Sequence, residues 1–163
     1  MRKWYWRALG VFVGVLLLIW GAEEFMRRKI GGFAGSYPYV ESYEFNVPQV
    51  ELNRLIEEVK NEHPDLRPLS DSSYTSSYWY YVSFRYKDTD ELVRAWTREE
   101  YRDSSSATLA FIGLNPGPGY TDLRLINRDF WFLANKRQIT KFKREIVERI
   151  EAKISKHAAS NVE

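Results

Sequence analysis

The sequence predicts an α+β domain hung from one N-terminal membrane-spanning helix. Three observations predict it. Ala8–Ala22 (ALGVFVGVLLLIWGA) holds no charge and is flanked by Arg2, Lys3 and Arg7 on one side and Arg27, Arg28 and Lys29 on the other. The middle of the chain alternates apolar and polar residues in short runs separated by polar turns, the pattern of an antiparallel meander. Apolar residues at helical spacing lie on both sides of those runs, giving the order helix, strands, helix. The expected domain therefore has three or four antiparallel strands packed against two amphipathic helices. Its parts are an anchor over residues 1–29, a Gly-rich linker over 30–38, the α+β domain over 39–157 and a frayed tail over 158–163.

As a helix, the fifteen uncharged residues span about 22 Å, short of a hydrocarbon core of about 30 Å. Tyr5 to Phe25 spans about 31 Å, with Arg7, Glu23 and Glu24 brought to the interfaces. Trp4, Tyr5, Trp6 and Trp20 have the amphipathic rings of interfacial belts. A cleaved secretory signal and a buried soluble helix are the competing readings. Cleavage after Ala22 puts Trp20 at −3, and cleavage after Gly21 puts Ile19 there, so the small residues that signal peptidase requires are missing. Retention as a single-pass signal anchor follows. The basic flanks balance, three against three, but the free amino terminus and Glu23/Glu24 favour N-terminus in and domain extracytoplasmic.

The anchor flanks also explain the net charge of +2. Residues 1–29 carry six Lys/Arg and two Glu, which leaves −2 for the remainder. Basicity is thus no argument for nucleic acid as a partner. The absence of cysteine removes disulfides, thiolate metal sites, cysteine nucleophiles and a lipoprotein cysteine.

After the linker, Tyr39–Val47 reads as an edge strand. Pro48 opens a helix carrying Leu52, Leu55, Ile56 and Val59, which ends before Pro64. Asp65–Ser77 reads as a solvated loop. Strands are expected at Tyr78–Lys87, Leu92–Glu99 and Ala107–Leu114, with a fourth at Thr121–Asn127. Ala107–Leu114 is apolar on both faces and should be central. Asn135 is expected to cap a long terminal helix whose stripe is Ile139, Phe142, Ile146, Ile150 and Ile154. Between Lys136 and Lys156 that helix holds eight Lys/Arg against three Glu, so it is also a candidate to lie on anionic lipid.

One constellation has possible chemistry. A two- or four-residue turn at Lys87–Asp90 pairs Tyr86 with Glu91, Phe84 with Val93 and Val82 with Ala95. Tyr80, Val82, Phe84, Val93 and Ala95 then share an apolar face suited to the helices. The opposite face presents Trp79, Tyr81, Arg85, Leu92, Arg94, Trp96 and Arg98, with Tyr81 opposite Trp96 and Trp79 opposite Arg98. Flat rings stack on sugar or peptide faces, and guanidinium groups pair with carboxylates or phosphates. Trp79, Tyr81, Arg85, Arg94, Trp96 and Arg98 are therefore the candidate binding face. The plainer alternative is that the rings cover the second face of a thin sheet and the arginine stems lie on them for solubility.

Signatures of catalysis are weak. His63 and His157 read as surface residues at a helix end and in the tail, and no HExxH is present. Asp88 and Asp90 read as turn residues. Gly113–Gly119 is interrupted by Pro116 and Pro118 and is no phosphate loop, and Ser104–Ser106 has no base near it in sequence. Asp122, Arg124, Arg128 and Asp129 are placed to form ion pairs around the fourth strand. No catalytic residue, cofactor or metal is expected. The function that follows is a membrane-anchored, non-enzymatic binding module of the cell envelope. Its expected partners are the bilayer, through residues 8–22, and another envelope protein or polymer. Two other classes stay open. One is an accessory subunit of a membrane complex, packed through Gly10 and Gly14 of the anchor. The other is a small membrane-tethered hydrolase using carboxylates.

Overall fold

The computed structural model describes residues 2–30, 39–69, 74–75, 79–101, 103–117 and 122–160. Helix α1 runs Arg2–Ile30, and within it Trp4–Met26 has a mean hydropathy of 1.8. Among the described residues one helix is thus long and apolar enough to cross a membrane. Its large side chains from Trp4 to Leu18 are exposed, and Gly10 and Gly14 have open space where a Cβ would sit. Apart from Ile30, which closes α1, the expected linker lies outside the described residues.

The remaining elements are β1 (Glu41–Phe45), α2 (Gln49–Glu62), β2 (Tyr74–Thr75), β3 (Tyr80–Tyr86), β4 (Glu91–Glu100), β5 (Asp103–Asn115), β6 (Arg124–Leu125), α3 (Phe132–Phe142) and α4 (Glu148–Ser160). All strand pairs are antiparallel, in the order β1-β5-β4-β3-β2, with β6 also on β5. The α+β class and the meander are as expected, and β5 is an interior strand, with β4 on one side and β1 and β6 on the other. Among the described residues the sheet has six strands: four longer runs, the two-residue β2, and β6, to which the strand expected at Thr121–Asn127 is shortened. β2 lies inside the segment read as a loop, where its SDSSYTSS setting gives no alternation to detect.

The β3–β4 register pairs Tyr86 with Glu91, Phe84 with Val93, Val82 with Ala95 and Tyr81 with Trp96. Asp90 adopts φ 56° and closes the four-residue turn, a conformation an Asp tolerates. β5 then departs from simple alternation. Arg94 pairs with Gly113 but Ala95 with Phe111, so Ile112 is an extra residue in the ladder. Before this bulge Ala107, Leu109 and Phe111 enter the main core, and after it Leu114 returns to that core. Ala110 and Ile112 face the other way.

β1 and β6 share the edge of β5 remote from β4. β1 pairs with Ala107–Phe111 and β6 with Gly113–Leu114. Gly113 is required there, because a Cβ would stand 2.1 Å from the Arg124 carbonyl oxygen.

Helices α2, α3 and α4 cover the core face. α2 buries Leu52, Leu55, Ile56 and Val59 as its spacing predicts. Its first turns are tied to β4: the Gln49 side chain donates to the Thr97 carbonyl at 3.0 Å and the Thr97 hydroxyl to Asn53 Oδ1 at 2.7 Å. Lys60, on the same buried side, is paired with Glu57 at 2.7 Å and stands 5.3 Å above the Phe84 ring. The terminal helix starts at Phe132, three residues before the expected cap. It is continuous but contains one wide turn, Lys143–Val147, of π type. α4 continues to Ser160, three residues into the stretch expected to fray.

Asn135 corrects a specific expectation. It lies buried inside α3 and does not cap it. Its Oδ1 accepts from the Asn127 backbone N–H at 2.8 Å, and its Nδ2 donates to Asn127 Oδ1 at 2.7 Å. Asn127 has φ 61°, so this amide pair holds a left-handed turn between β6 and α3.

Phe142 is the centre of the core. Its ring stacks on Phe111 at 4.4 Å and 3°, lies 5.7 Å from Tyr43 and meets Phe84 edge-on at 6.3 Å. Three strands and the terminal helix therefore meet at one fully buried ring. Phe142→Ala is expected to cost about 3–5 kcal/mol of stability, read as a lower urea midpoint with an unchanged slope.

Candidate binding face

The sheet face turned away from the helices has a small core of its own. Trp96, Ala110 and Ile112 are buried there, with Val40, Trp79, Tyr81, Leu123 and Leu125 packed against them. The six predicted residues lie on this side, but they do not play one role. Trp96, only 3% exposed, is the buried floor of the cluster. Trp79 and Tyr81 are half-buried. The Trp79 and Trp96 rings lie 4.4 Å apart at 59°, and the Arg98 guanidinium stands 5.3 Å from the first ring and 5.6 Å from the second. An arginine over two indoles is attracted to their π faces and shields them from water.

Each arginine has an intramolecular partner. Arg98 lies 3.7 Å from Glu100, whose carboxylate also accepts from the Thr108 hydroxyl. Arg94 donates to the Ser83 hydroxyl at 2.9 Å, its direct cross-strand neighbour, and weakly to Asn115 Oδ1 at 3.4 Å. Arg85 donates to Asp90 at 2.7 Å. These contacts fix the guanidinium planes and leave the arginine side chains half-exposed, Arg98 at 30% and Arg85 at 27%.

Sequence reasoning missed Ser83, Glu100 and Asn115 as partners, and read Asp90 as a turn residue only. Ser83 was available from the register, since it stands opposite Arg94. Glu100 and Asn115 depend on strand lengths that turn signals did not mark. Burial of Trp96 depends on a cluster against which Leu123 and Leu125 pack, from the segment paired to the edge of β5. The trace of that packing in the sequence is the double-sided apolar character of Ala107–Leu114.

β6 is braced from the outside. Arg124 lies over the Phe130 ring at 4.1 Å. The Asp129 carboxylate accepts from the Leu125 backbone N–H at 2.8 Å and from Arg128 Nε at 2.8 Å. Of the ion pairs expected in this segment, Arg128–Asp129 forms. The hydrogen bond from Arg128, with a further one from the Leu125 amide, holds the Asp129 carboxyl below the usual carboxylate range.

The other titratable residues singled out in the sequence serve the helix side. Asp88 is paired with Lys141 at 2.8 Å, which lowers its carboxyl pKa, and Asp65 with Lys87 at 2.8 Å. His157 faces Glu58 at 3.3 Å across the α2–α4 contact, and His63 closes the end of α2. Among the described residues no group of three or more His, Asp or Glu is placed to hold a metal ion.

No known protein family, curated protein or solved structure matches this chain.

Two measurements separate floor from rim. Trp96→Ala is expected to lower stability by about 3–5 kcal/mol, whereas Trp79→Ala, at a half-buried ring, should cost distinctly less in the same urea titration. The Asp129 contribution has a defined pH window. Its carboxyl is lower in the folded than in the unfolded chain, so the stabilisation is complete above the unfolded value of about 3.9. It disappears as pH falls through the folded value. The stability gap between the parent and Asp129→Asn should therefore be widest near neutrality and close below about pH 4.

Proposed function

We propose that this protein is a membrane-anchored binding module of the cell envelope. Its domain is held by α1 and engages an envelope protein or polymer through the rim of the aromatic–arginine face. The supporting observation is the Trp79–Trp96 pair beneath Arg98, with Tyr81 beside it, on the sheet side that no helix covers among the described residues. Half-exposed rings whose neighbours are locked lose little conformational entropy on binding. The oriented guanidinium groups of Arg85, Arg94 and Arg98 supply directional donors around them. Trp96 belongs to the reading as the support under Trp79. Single-pass anchoring with the N-terminus inside and the domain extracytoplasmic is part of the same proposal, resting on the length and apolarity of Trp4–Met26 and on the poor cleavage site.

The test uses the full chain in its own membranes with a photocrosslinking residue at position 79 or 81. A reproducible adduct is expected from these positions and none from exposed Ala152 on α4. A discrete band identifies a protein partner and a high-mass smear a polymer. Identical adducts from all three positions, or none from 79 and 81, would reject the face. Protease added outside sealed cells should remove the domain; digestion only from the cytoplasmic side would reverse the orientation.

A further inference from the structure

The junction between α1 and the domain has a chemistry that neither the core nor the aromatic–arginine face uses. Trp20 meets Trp131 edge-on at 5.8 Å and Phe132 at 6.2 Å. One turn further along the same side of α1, Glu24 is buried. The domain therefore touches α1 before that helix ends. Trp20 lies six residues short of Met26, the last residue of the apolar span, a distance of about 9 Å along the axis. If α1 crosses a bilayer, the start of α3 stands at the depth of the interfacial belt rather than out in water.

The residues at that depth suit it. Trp131 is 55% exposed and Leu133 61%, two large apolar side chains on the surface beside the contact with α1. One turn on, Lys136 and Arg137 are exposed, and no ion pair engages either among the described residues. With Leu133, Thr140 and Arg144 they line a shallow groove whose one carboxylate, Asp88, is already taken by Lys141. Aromatic and aliphatic side chains followed by unopposed cations is the composition of a surface that enters the headgroup region of an anionic leaflet.

We propose that Trp131, Leu133, Lys136 and Arg137 seat the domain on the leaflet where α1 ends, the first two dipping into the interface and the last two taking anionic phospholipid headgroups. The inference rests on α1 spanning the membrane. It adds a defined tilt: the α3 end is held down, so the position of the opposite sheet face is set relative to the bilayer and not left to swing on the anchor.

The chain lacks cysteine, so a single spin label reports unambiguously. The full chain bearing a label at Leu133→Cys is placed in nanodiscs of phosphatidylcholine alone or with phosphatidylglycerol. Retention in the disc is scored first; a chain that elutes without lipid overturns the anchoring reading itself. In the disc with phosphatidylglycerol, the label should be relaxed by oxygen and shielded from a water-soluble nickel chelate. A label at Lys156→Cys should show the reverse. Adding Lys136→Glu and Arg137→Glu should return the Leu133 label to the aqueous pattern, with the circular dichroism of the domain unchanged. A disc-bound chain whose Leu133 label stays fully accessible to nickel overturns the docking. Equal shielding in both lipids, unaffected by the charge reversals, overturns the headgroup assignment.

Discussion

The register of the β3–β4 hairpin is the constraint on which the other features depend. Side chains alternate across a strand with a period of two, so a slip of one residue exchanges the two faces of one strand. In the observed pairing Val82, Phe84, Val93 and Ala95 go to the helices, and Trp79, Tyr81, Arg94 and Trp96 go to the other side. The slip would put Arg94 and Arg98 into a core centred on Phe142, where a charge without its Ser83 or Glu100 contacts is costly. The turn at Lys87–Asp90 and the pattern of apolar side chains select the same register, which is the agreement between local and global preference that a well-specified fold requires.

A sheet with two apolar faces needs cover on both. The main face has three helices. The second has the Trp96–Ala110–Ile112 cluster, the short β6 and arginine stems. The bulge at Ile112 joins the two arrangements: it sends one apolar residue to the small cluster and returns Leu114 to the large one. Gly113 then lets β6 approach closely enough to brace the edge. Arg98 covers the indole pair and keeps its side chain 30% exposed, so under the proposed function stability and recognition would draw on the same side chain. Trp96 at the floor covers the sheet, and the binding surface that we propose is confined to the half-buried rim.

What was legible in the sequence follows the length of each periodic signal. The apolar N-terminal run, the stripe of α2, the four longer strands and the face assignment across the hairpin all rest on repeated spacing over several residues. β2 is a two-residue pairing that depends on neighbours in space and no local pattern marks it, whereas β6 lies within the strand expected at Thr121–Asn127 and only its shortness was not legible. The wide turn at Lys143–Val147 is equally hidden, because Phe142, Ile146 and Ile150 keep four-residue steps through it. Asn135 is instructive: an Asn followed by Gln138 resembles a cap, but its amide is used by Asn127 in the turn that precedes the helix. At the candidate face, residue identities were readable while depth was not. Whether Trp96 is rim or floor is decided by Ala110, Ile112, Leu123 and Leu125, which tertiary packing brings beneath it.

The two-faced sheet is tested most directly by the proton contacts of one indole. In nuclear Overhauser spectra of the full chain in detergent micelles, the Trp96 ring should show cross-peaks to the Trp79 ring, the Ala110 methyl and the Ile112 side chain. Cross-peaks from Trp96 to Leu52, Ile56 or Phe142 would place it among the helix-side residues and contradict both the register and the face built on it.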